Sequence, residues 1–482
     1  MATETKKGFS HKYLMHVIIM IAITFAFRLI PPPGTVTPYG MAVIGVFVGL
    51  IYGWTFLGLL FPSLFGSLAL ATTGYGSVTA VWTAMFTNST TLMMLVGVLA
   101  FAAIQYTGAG DWIIGGLLGS KLAKKSPIMV VEMFMLCWML GMIIGIAWFL
   151  MFGVLKMFSD TLLKCGYEKG DRFNFFVLGG CIIAGQIGQS FLPFMGWGIM
   201  ITGTMMQVTQ TMLNYNAWMF LEIIIAIIYL ITWPIFMKIC GCDFSKLANV
   251  DIDSVFPRKG GLDSAQKLSI ISVLVFILVT VLTTAFNGKI AIFTYINNNI
   301  GILGLMVFLW VYVVAHKIND KPILDMKKAG AGFSWDMLLL IAFALLISSV
   351  LTSSETGISS WIASILMPLF SDNMIMFYVI LAAATIILTN LANNIAICFI
   401  MMNLVGVMYQ NGFAVNLVSA ALIISLCCTF IAFLTPASSI NGALLHADES
   451  CSSSTIYKFT PIMMLYGILL LMVVLLPYSL IF

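Results

Sequence analysis

Asn390, Asn393, Asn394 and Asn403 stand close together in otherwise apolar sequence. In hydrocarbon an unpaired amide costs several kcal/mol, so all four require partners. Two arrangements meet that requirement. The amides can satisfy one another and a broken backbone, acting as polar glue between helices. Alternatively, a helix break at this point presents Asn393, Asn394 and the N-terminal end of the following helix to an anion, while freed carbonyls coordinate a cation. The second arrangement suits Asn393 and Asn394 better than Asn403, which stands more than two turns further along.

A second polar run, Thr435-Pro436-Ala437-Ser438-Ser439-Ile440-Asn441-Gly442, follows the apolar segment Leu417 to Leu434. It reads as a helix broken at mid-membrane, in which Pro436 frees a carbonyl and Ser438, Ser439 and Asn441 add neutral polar groups. A plain loop at the membrane surface is the other reading, because Asp448 and Glu449 follow closely. The run Gly185-Gln186-Ile187-Gly188-Gln189-Ser190-Phe191-Leu192-Pro193 is apolar on both flanks, which makes a mid-membrane break there the firmer expectation. The apolar runs hold no paired carboxylates, no Asp-rich magnesium motif and no histidines at metal spacing. His11, His16, His316 and His446 stand alone near span ends. The chemistry on offer is binding, not catalysis, and neither an enzyme nor a resident cofactor is expected.

The elements that must position these residues follow from composition. Hydrophobic residues make up 61% of the 482-residue chain and charged residues 8%, against about 25% charged in a soluble domain. A span takes about 20 apolar residues, which leaves room for about ten to twelve spans and no large soluble domain. The polar start carries Lys6, Lys7 and His11, and the apolar run after it reaches Arg28 without a small-residue cleavage site, so it is expected to be a retained first span. Most of the nine cysteines lie inside apolar runs, where they behave as small hydrophobes. The net charge of +4 is spread over membrane-flanking loops, which orients a chain in a bilayer and does not point to nucleic acid.

Lysine and arginine concentrate at the N-terminus and in segments 121–125, 164–172, 238–267 and 317–328, which are therefore expected to be cytoplasmic. The apolar stretch between Lys125 and Lys164 is too long for one straight helix, yet both its flanks are basic. A re-entrant hairpin solves this, with its turn near Gly141 to Ala147. A stretch of similar length, Met374 to Met408, is interrupted at Thr389, Asn390, Asn393 and Asn394, has no basic flanks and is expected to enter from outside. A self-match pairs Thr107-Gly108-x-x-x-Trp112-Ile113 with Thr356-Gly357-x-x-x-Trp361-Ile362, and the same offset carries each broken segment of the first half onto one of the second. Corresponding broken segments facing opposite ways are the signature of an inverted-repeat transporter.

The expected fold is thus an all-α membrane protein of about 11 transmembrane helices plus two re-entrant hairpins in an inverted repeat, with broken helices at the midplane. Residues 1–237 form the first repeat, with a cytoplasmic-side hairpin at about 126–163 and a broken helix at about 173–209. Residues 238–267 form a cytoplasmic linker. The second repeat, 268–482, has an external-side hairpin at about 374–410 and a broken helix at about 415–445. The expected home is a bacterial inner membrane, with the N-terminus cytoplasmic and the C-terminus external.

The two hairpins, each followed by a broken helix, and the segment Ala432-Phe433-Leu434-Thr435-Pro436-Ala437-Ser438-Ser439-Ile440-Asn441 resemble the divalent anion:sodium symporter family of the ion-transporter superfamily, over nearly the whole chain. In that family each hairpin tip carries Ser-Asn-Thr and the second broken helix carries Ala-Thr-Pro-Pro-Asn. Here the second tip reads Asn393-Asn394-Ile395 and the broken helix Ala437-Ser438-Ser439-Ile440-Asn441, so Asn394 and Asn441 match, and Thr389 keeps a hydroxyl where the family has serine. The first tip departs, reading Gly145-Ile146-Ala147 with Gly141 before it. The resemblance implies a cation-coupled carrier of a small organic anion, working by an elevator mechanism as a homodimer in the lipid bilayer. It implies substrate contacts at Asn393, Asn394, Ile395, Ser438, Ser439, Asn441, Gly145, Ile146, Ala147, Gln189 and Ser190. A coupling sodium ion would sit near Thr389, Asn393, Asn394, Ala437 and Ser438. The alternatives are a proton-coupled antiporter and a carrier of a non-dicarboxylate substrate. A channel would be expected to show charged rings or repeated filter loops. A proton-coupled antiporter needs a titratable group at the site, and Glu132, Asp160 and Glu222 are expected instead at a hairpin base or at span ends.

The basic flanks make a topological prediction. Single cysteines placed in 121–125 and in 164–172 should label from the same, cytoplasmic, side; labelling from opposite sides removes the first hairpin and the repeat with it.

Overall fold

Within a bilayer every backbone N–H and C=O needs a partner inside the protein, and a chain this apolar meets that demand with helices. A computed structural model describes residues 11–121, 125–144, 150, 154–249, 260–331, 335–370, 373–391, 393–436 and 438–481. The chain runs α1 (His11–Ala26), α2 (Pro38–Phe56), α3 (Leu60–Ala71), α4 (Val78–Thr87), α5 (Ser89–Tyr106), α6 (Ala109–Leu118) and α7 (Pro127–Ile143). It continues with α8 (Leu155–Lys164), α9 (Arg172–Ser190), α10 (Gly196–Thr209), α11 (Tyr215–Ile239), α12 (Ser264–Ala285), α13 (Ala291–Asn299) and α14 (Gly301–Ala315). After a short antiparallel pairing of Lys317–Ile318 with Lys321–Pro322 come α15 (Met326–Ala331), α16 (Trp335–Thr352), α17 (Ile358–Phe370), α18 (Met374–Leu391), α19 (Asn394–Gln410), α20 (Leu417–Thr429), α21 (Ile440–Ala447) and α22 (Ser453–Ile481).

Nine helical stretches among the described residues are long and apolar enough to cross a membrane, with shorter apolar helices between them. This is an all-α membrane protein. Helix starts are set by side-chain caps: Asn88 for α5, Ser126 ahead of Pro127 for α7, Asp171 for α9, Asn393 for α19 and Asn416 for α20. Each cap satisfies backbone N–H groups that have no partner within the helix.

Burial sorts the helices into a centre and a periphery. Every residue of α20 is buried, and so is nearly all of α9. By contrast α12, α14 and α22 turn Leu274, Leu278, Phe308, Val311, Leu469 and Val473 outward, an apolar surface that suits lipid. The central helices are also the interrupted ones. The break after α9 covers residues 191–195 and the break after α20 covers 430–439. Between α18 and α19 only residues 392 and 393 intervene. Gly141, expected in the first hairpin turn, lies instead inside α7, which runs on to Ile143, and a Cβ there would press on Leu150. The expected first tip, Gly145, Ile146 and Ala147, lies outside the described residues.

The self-matching segments occupy like positions. Gly108 (φ 70°) turns the chain from α5 into α6, and Gly357 (φ 67°) turns it from α16 into α17. The second corner is also where the start of α2 is fastened: the Thr37 N–H donates to the Thr356 carbonyl at 2.9 Å, and the Thr35 hydroxyl to that of Gly357 at 3.0 Å.

A Cβ on Gly357 would meet the Thr35 carbonyl oxygen at 1.9 Å, and the left-handed backbone adds its own penalty. Gly412 is also left-handed, at φ 86°, but has open space around it. Gly412→Ala should therefore cost only the backbone term of about 1–2 kcal/mol, whereas Gly357→Ala should cost about 1–3 kcal/mol more through overpacking. Unfolding in detergent, followed by tryptophan fluorescence, measures the difference; equal losses would mean that the corner is not tightly packed.

Candidate functional site

The two breaks and the α18–α19 turn leave backbone groups without helical partners, and side chains absorb most of them. Asn390, fully buried at the end of α18, makes four bonds. Its amide nitrogen donates to the carbonyls of Ile386 (2.8 Å) and Ile431 (2.6 Å), and its oxygen accepts from the N–H groups of Phe433 (3.1 Å) and Leu434 (2.9 Å). The Thr435 hydroxyl returns to the Asn390 carbonyl at 3.2 Å, and the Asn394 N–H reaches the Ser438 carbonyl at 2.9 Å. Ser438 and Ser439 both donate to the Ala432 carbonyl at 2.7 Å. The hairpin turn and the second break are thereby laced into one unit.

Beside this unit is a cavity of about 670 Å³. One wall is built by Asn393, Asn394 and Ile395 at the turn, Ser439, Ile440 and Asn441 ahead of and within α21, Gln186 and Gln189 at the end of α9, and Met195, Gly196 and Trp197 at the start of α10. The facing wall comes from other helices: Trp54 of α2, Met93, Met94 and Phe101 of α5, Met306 of α14 and Met337 of α16. Among the described residues no Lys, Arg, His, Asp or Glu lines the cavity, and no cluster of three or more metal-ligating side chains occurs.

The polar groups of the first wall divide into spent and unspent. Asn393 uses its oxygen to cap α19, accepting from the N–H groups of Ile395 (3.0 Å) and Ala396 (3.3 Å), which leaves its NH2 group. The side chains of Asn394, Gln186 and Gln189 have no hydrogen-bond partner among the described residues, and neither do the buried Asn441 oxygen and the Trp197 indole N–H. At the start of α21 Ser439 caps Gly442, and at the start of α10 the first internal bond is that of Ile199. Among the described residues, the N–H groups of Ile440, Asn441, Gly196 and Trp197 have no bonding partner, at two helix N-termini that border the cavity. Neutral amide donors and acceptors together with two helix starts suit the binding of a polar or anionic group, since the helix dipole favours negative charge at such ends.

Of the residues singled out by sequence, Asn393, Asn394, Ile395, Ser439, Asn441 and Gln189 meet at the cavity. Thr389, Ser190 and Ser438 stand behind its wall: Thr389 donates to the Cys428 carbonyl at 3.2 Å, Ser438 holds the break, and Ser190 bonds Glu222. Ala437 lies outside the described residues, as do Gly145, Ile146 and Ala147. Asn403 is tied to Ser348 of α16 at 2.9 Å and away from the cavity. Sequence reasoning passed over Trp197 and Gly196, although the Pro193 break placed a helix start there. It also passed over the methionine wall, because 33 methionines scattered through the chain single out none. Glu222, expected at a span end, is instead fully buried within α11. Asp160 is half exposed and pairs with Lys156 at 3.5 Å.

No family model matches the chain, and no curated protein sequence matches it. Solved structures share its fold, two of them as follows. MtrF of Neisseria gonorrhoeae, described as illuminating a class of antimetabolite efflux pumps, aligns with 98% of this chain and 96% of its own, at 14% identity and a TM-score of 0.57. The YdaH transporter of Alcanivorax borkumensis, described as having an unusual topology, aligns over 97% and 98%, at 12% identity and a TM-score of 0.55.

The division of the amides predicts opposite effects on stability. Asn390→Ala strands two N–H groups and a carbonyl in a buried break and should destabilise the protein by about 3 kcal/mol or more, at about 1–3 kcal/mol per group. Asn394→Ala removes a side chain without a partner and should leave the unfolding midpoint unchanged. A fall of similar size for both would assign Asn394 to the scaffold.

Proposed function

We propose that this protein is a secondary active transporter that moves a small organic anion of the carboxylate type across the membrane, coupled to a cation. The observation that carries the reading is the cavity wall of uncommitted amides and open helix starts, set between interrupted helices and, among the described residues, bare of charged side chains. A carboxylate there meets donors that cost nothing to free, and the absence of fixed positive charge allows release. Similarity in fold to a pump and a transporter supports the same class.

An elevator-type cycle fits the distribution of bonds. The hairpin turn and the second break are laced together by Asn390, Asn394, Thr435 and Ser438, and the lining drawn from α2, α5, α14 and α16 is, apart from Gln105, largely methionine, aromatic and aliphatic. Such a wall is polarisable and adaptable, and suits a surface against which a rigid body slides. Sodium is the proposed coupling ion, held by oxygens around Thr389, Asn393, Asn394, Ala437 and Ser438, since a hard cation takes oxygen ligands. The resemblance to the divalent anion:sodium symporters supports this placement, with the second tip dominant because the first, Gly145-Ile146-Ala147, has no polar side chain. A homodimer in a bacterial inner membrane belongs to the same proposal; the mass of the solubilised particle checks it.

Uptake into proteoliposomes of labelled mono- and dicarboxylates, sulfate and amino acids, with sodium and proton gradients varied separately, tests the reading. A carboxylate should accumulate under a cation gradient, and Asn394→Ala should reduce its uptake to background through a binding loss of about 1–3 kcal/mol. A cysteine pair at the hydrogen-bonded positions Asn88 and Gln207, once cross-linked, should stop transport. Normal uptake by Asn394→Ala refutes the site, and undiminished transport by the cross-linked protein refutes the sliding body.

A further inference from the structure

Glu222 is an acidic residue that the binding site does not use, and it is wholly buried about two turns into α11. Its Oε1 lies 2.6 Å from the Ser190 hydroxyl, and its Oε2 has no hydrogen-bond partner among the described residues. Ser190 ends α9 beside the cavity residue Gln189, and its hydroxyl also lies 3.1 Å from the carbonyl of Gln186, a second cavity residue. One turn before Glu222, the Trp218 indole N–H donates to the Ser190 carbonyl at 2.8 Å. Helix α11 therefore grips the cavity end of α9 at two points, one of them a carboxyl.

No fixed charge balances that carboxyl. The helices packed on α11 are α7, α9, α12, α20 and α22, and the charged residues described on them are Glu132, Arg172, Lys267 and Lys458. Arg172 opens α9 while Ser190 closes it, about 27 Å apart at 1.5 Å per residue. Glu132 lies in the first half of α7 and makes no hydrogen bond with Glu222. Lys267 is at the start of α12, whereas it is the far end of that helix, at Thr284, that reaches α11 at Asn216. Lys458 lies near the start of α22, below the level at which Tyr466 bonds Thr232 of α11. The neutral titratable groups on these helices are Cys137, Cys181, Cys427 and Cys428 and the tyrosines of α22, while Tyr215 and Tyr229 lie on α11 itself. None of these groups forms a hydrogen bond or ion pair with Glu222, whose one partner among the described residues is Ser190.

The hydrogen-bond geometry serves both protonation states. With the carboxylate ionised, the Ser190 O–H donates to Oε1. When a proton from water is added to Oε1, the new O–H donates to Ser190 Oγ, and the Ser190 O–H turns to the Gln186 carbonyl within reach at 3.1 Å. Only O–H bonds form and break, and the exchange re-bonds the turn that carries Gln186 and Gln189 into the cavity. An ionisable group inside a membrane marks a proton or ion pathway by default.

We propose that Glu222 is a proton site of the carrier, loaded and unloaded once per cycle, so that movement of the anion is coupled to the proton gradient as well; this rests on the carrier reading above. Two measurements on the full-length protein in lipid test it. Infrared difference spectra on acidification should contain a carboxylic C=O band that is missing in Glu222→Gln and shifted in frequency in Ser190→Ala; a band unchanged in Glu222→Gln overturns the site. In proteoliposomes with the same labelled anions, Glu222→Gln should exchange internal for external substrate at the unmodified rate while losing accumulation driven by a pH gradient. Accumulation retained by Glu222→Gln, or exchange without any pH-gradient effect in the unmodified protein, overturns the coupling and leaves the carrier reading standing. If no anion is exchanged, the carrier reading falls and the coupling falls with it.

Discussion

A backbone that leaves the helix inside a membrane must find new partners for every N–H and C=O it frees, and in this protein one buried side chain meets most of that demand. Asn390 supplies one donor and two acceptor bonds to the second break, replacing helical bonds that residues 431–434 have lost. Without such compensation the interruption would cost several kcal/mol per stranded group, and a continuous helix would be the stable outcome. The open helix start at Ile440, the turn at Asn393 and the cavity they border all depend on the break being affordable in this sense.

The consequence is a division among chemically identical groups. Asn390 is wholly spent on structure, Asn403 commits its NH2 group and Asn393 its oxygen, and Asn394 and Asn441 keep polar atoms in reserve. The first half follows the same logic with different residues. Ser190 and Trp218 fix the end of α9, while Gln186 and Gln189 keep uncommitted amides facing the cavity. What distinguishes a binding group from a structural one here is the hydrogen-bond account of its neighbours, not its residue type.

The cavity also has an unusual electrostatic character for a site proposed to take an anion. Its field comes from peptide dipoles at the starts of α10 and α21, which are fixed by the fold and require no counter-ion when the site is empty. A lysine or arginine in the same place would have to be desolvated, and would hold an anion more tightly than a carrier that must release it can use. The facing wall of Met93, Met94, Met306 and Met337 adds polarisable contact without adding charge.

Composition and the long unbroken apolar runs together determined that the chain is a helical membrane protein, because 61% hydrophobic and 8% charged residues require a membrane, and such runs lack the alternation of a barrel strand. Glycine, proline and amide clusters at 185–193, 389–394 and 435–442 stand out against apolar surroundings and mark the neighbourhoods of the interruptions, but not their bounds: Gly185 to Ser190 stay inside α9, Thr389 and Asn390 stay inside α18, and the second break opens already at residue 430. The Thr-Gly self-match pointed to two corners that do share a left-handed glycine. What the sequence left undecided was which polar groups were already committed. Asn390 and Asn394 look alike in a linear reading, and only the folding of residues 431–434 back against Asn390 separates them. Glu222 likewise reads as a span-end residue until α9 packs on α11 and brings Ser190 to it. The methionine wall is assembled from helices far apart in the chain, so no local pattern could have announced it. Periodicity and composition report the local preference of each segment, whereas hydrogen-bond satisfaction between segments is a property of the tertiary structure.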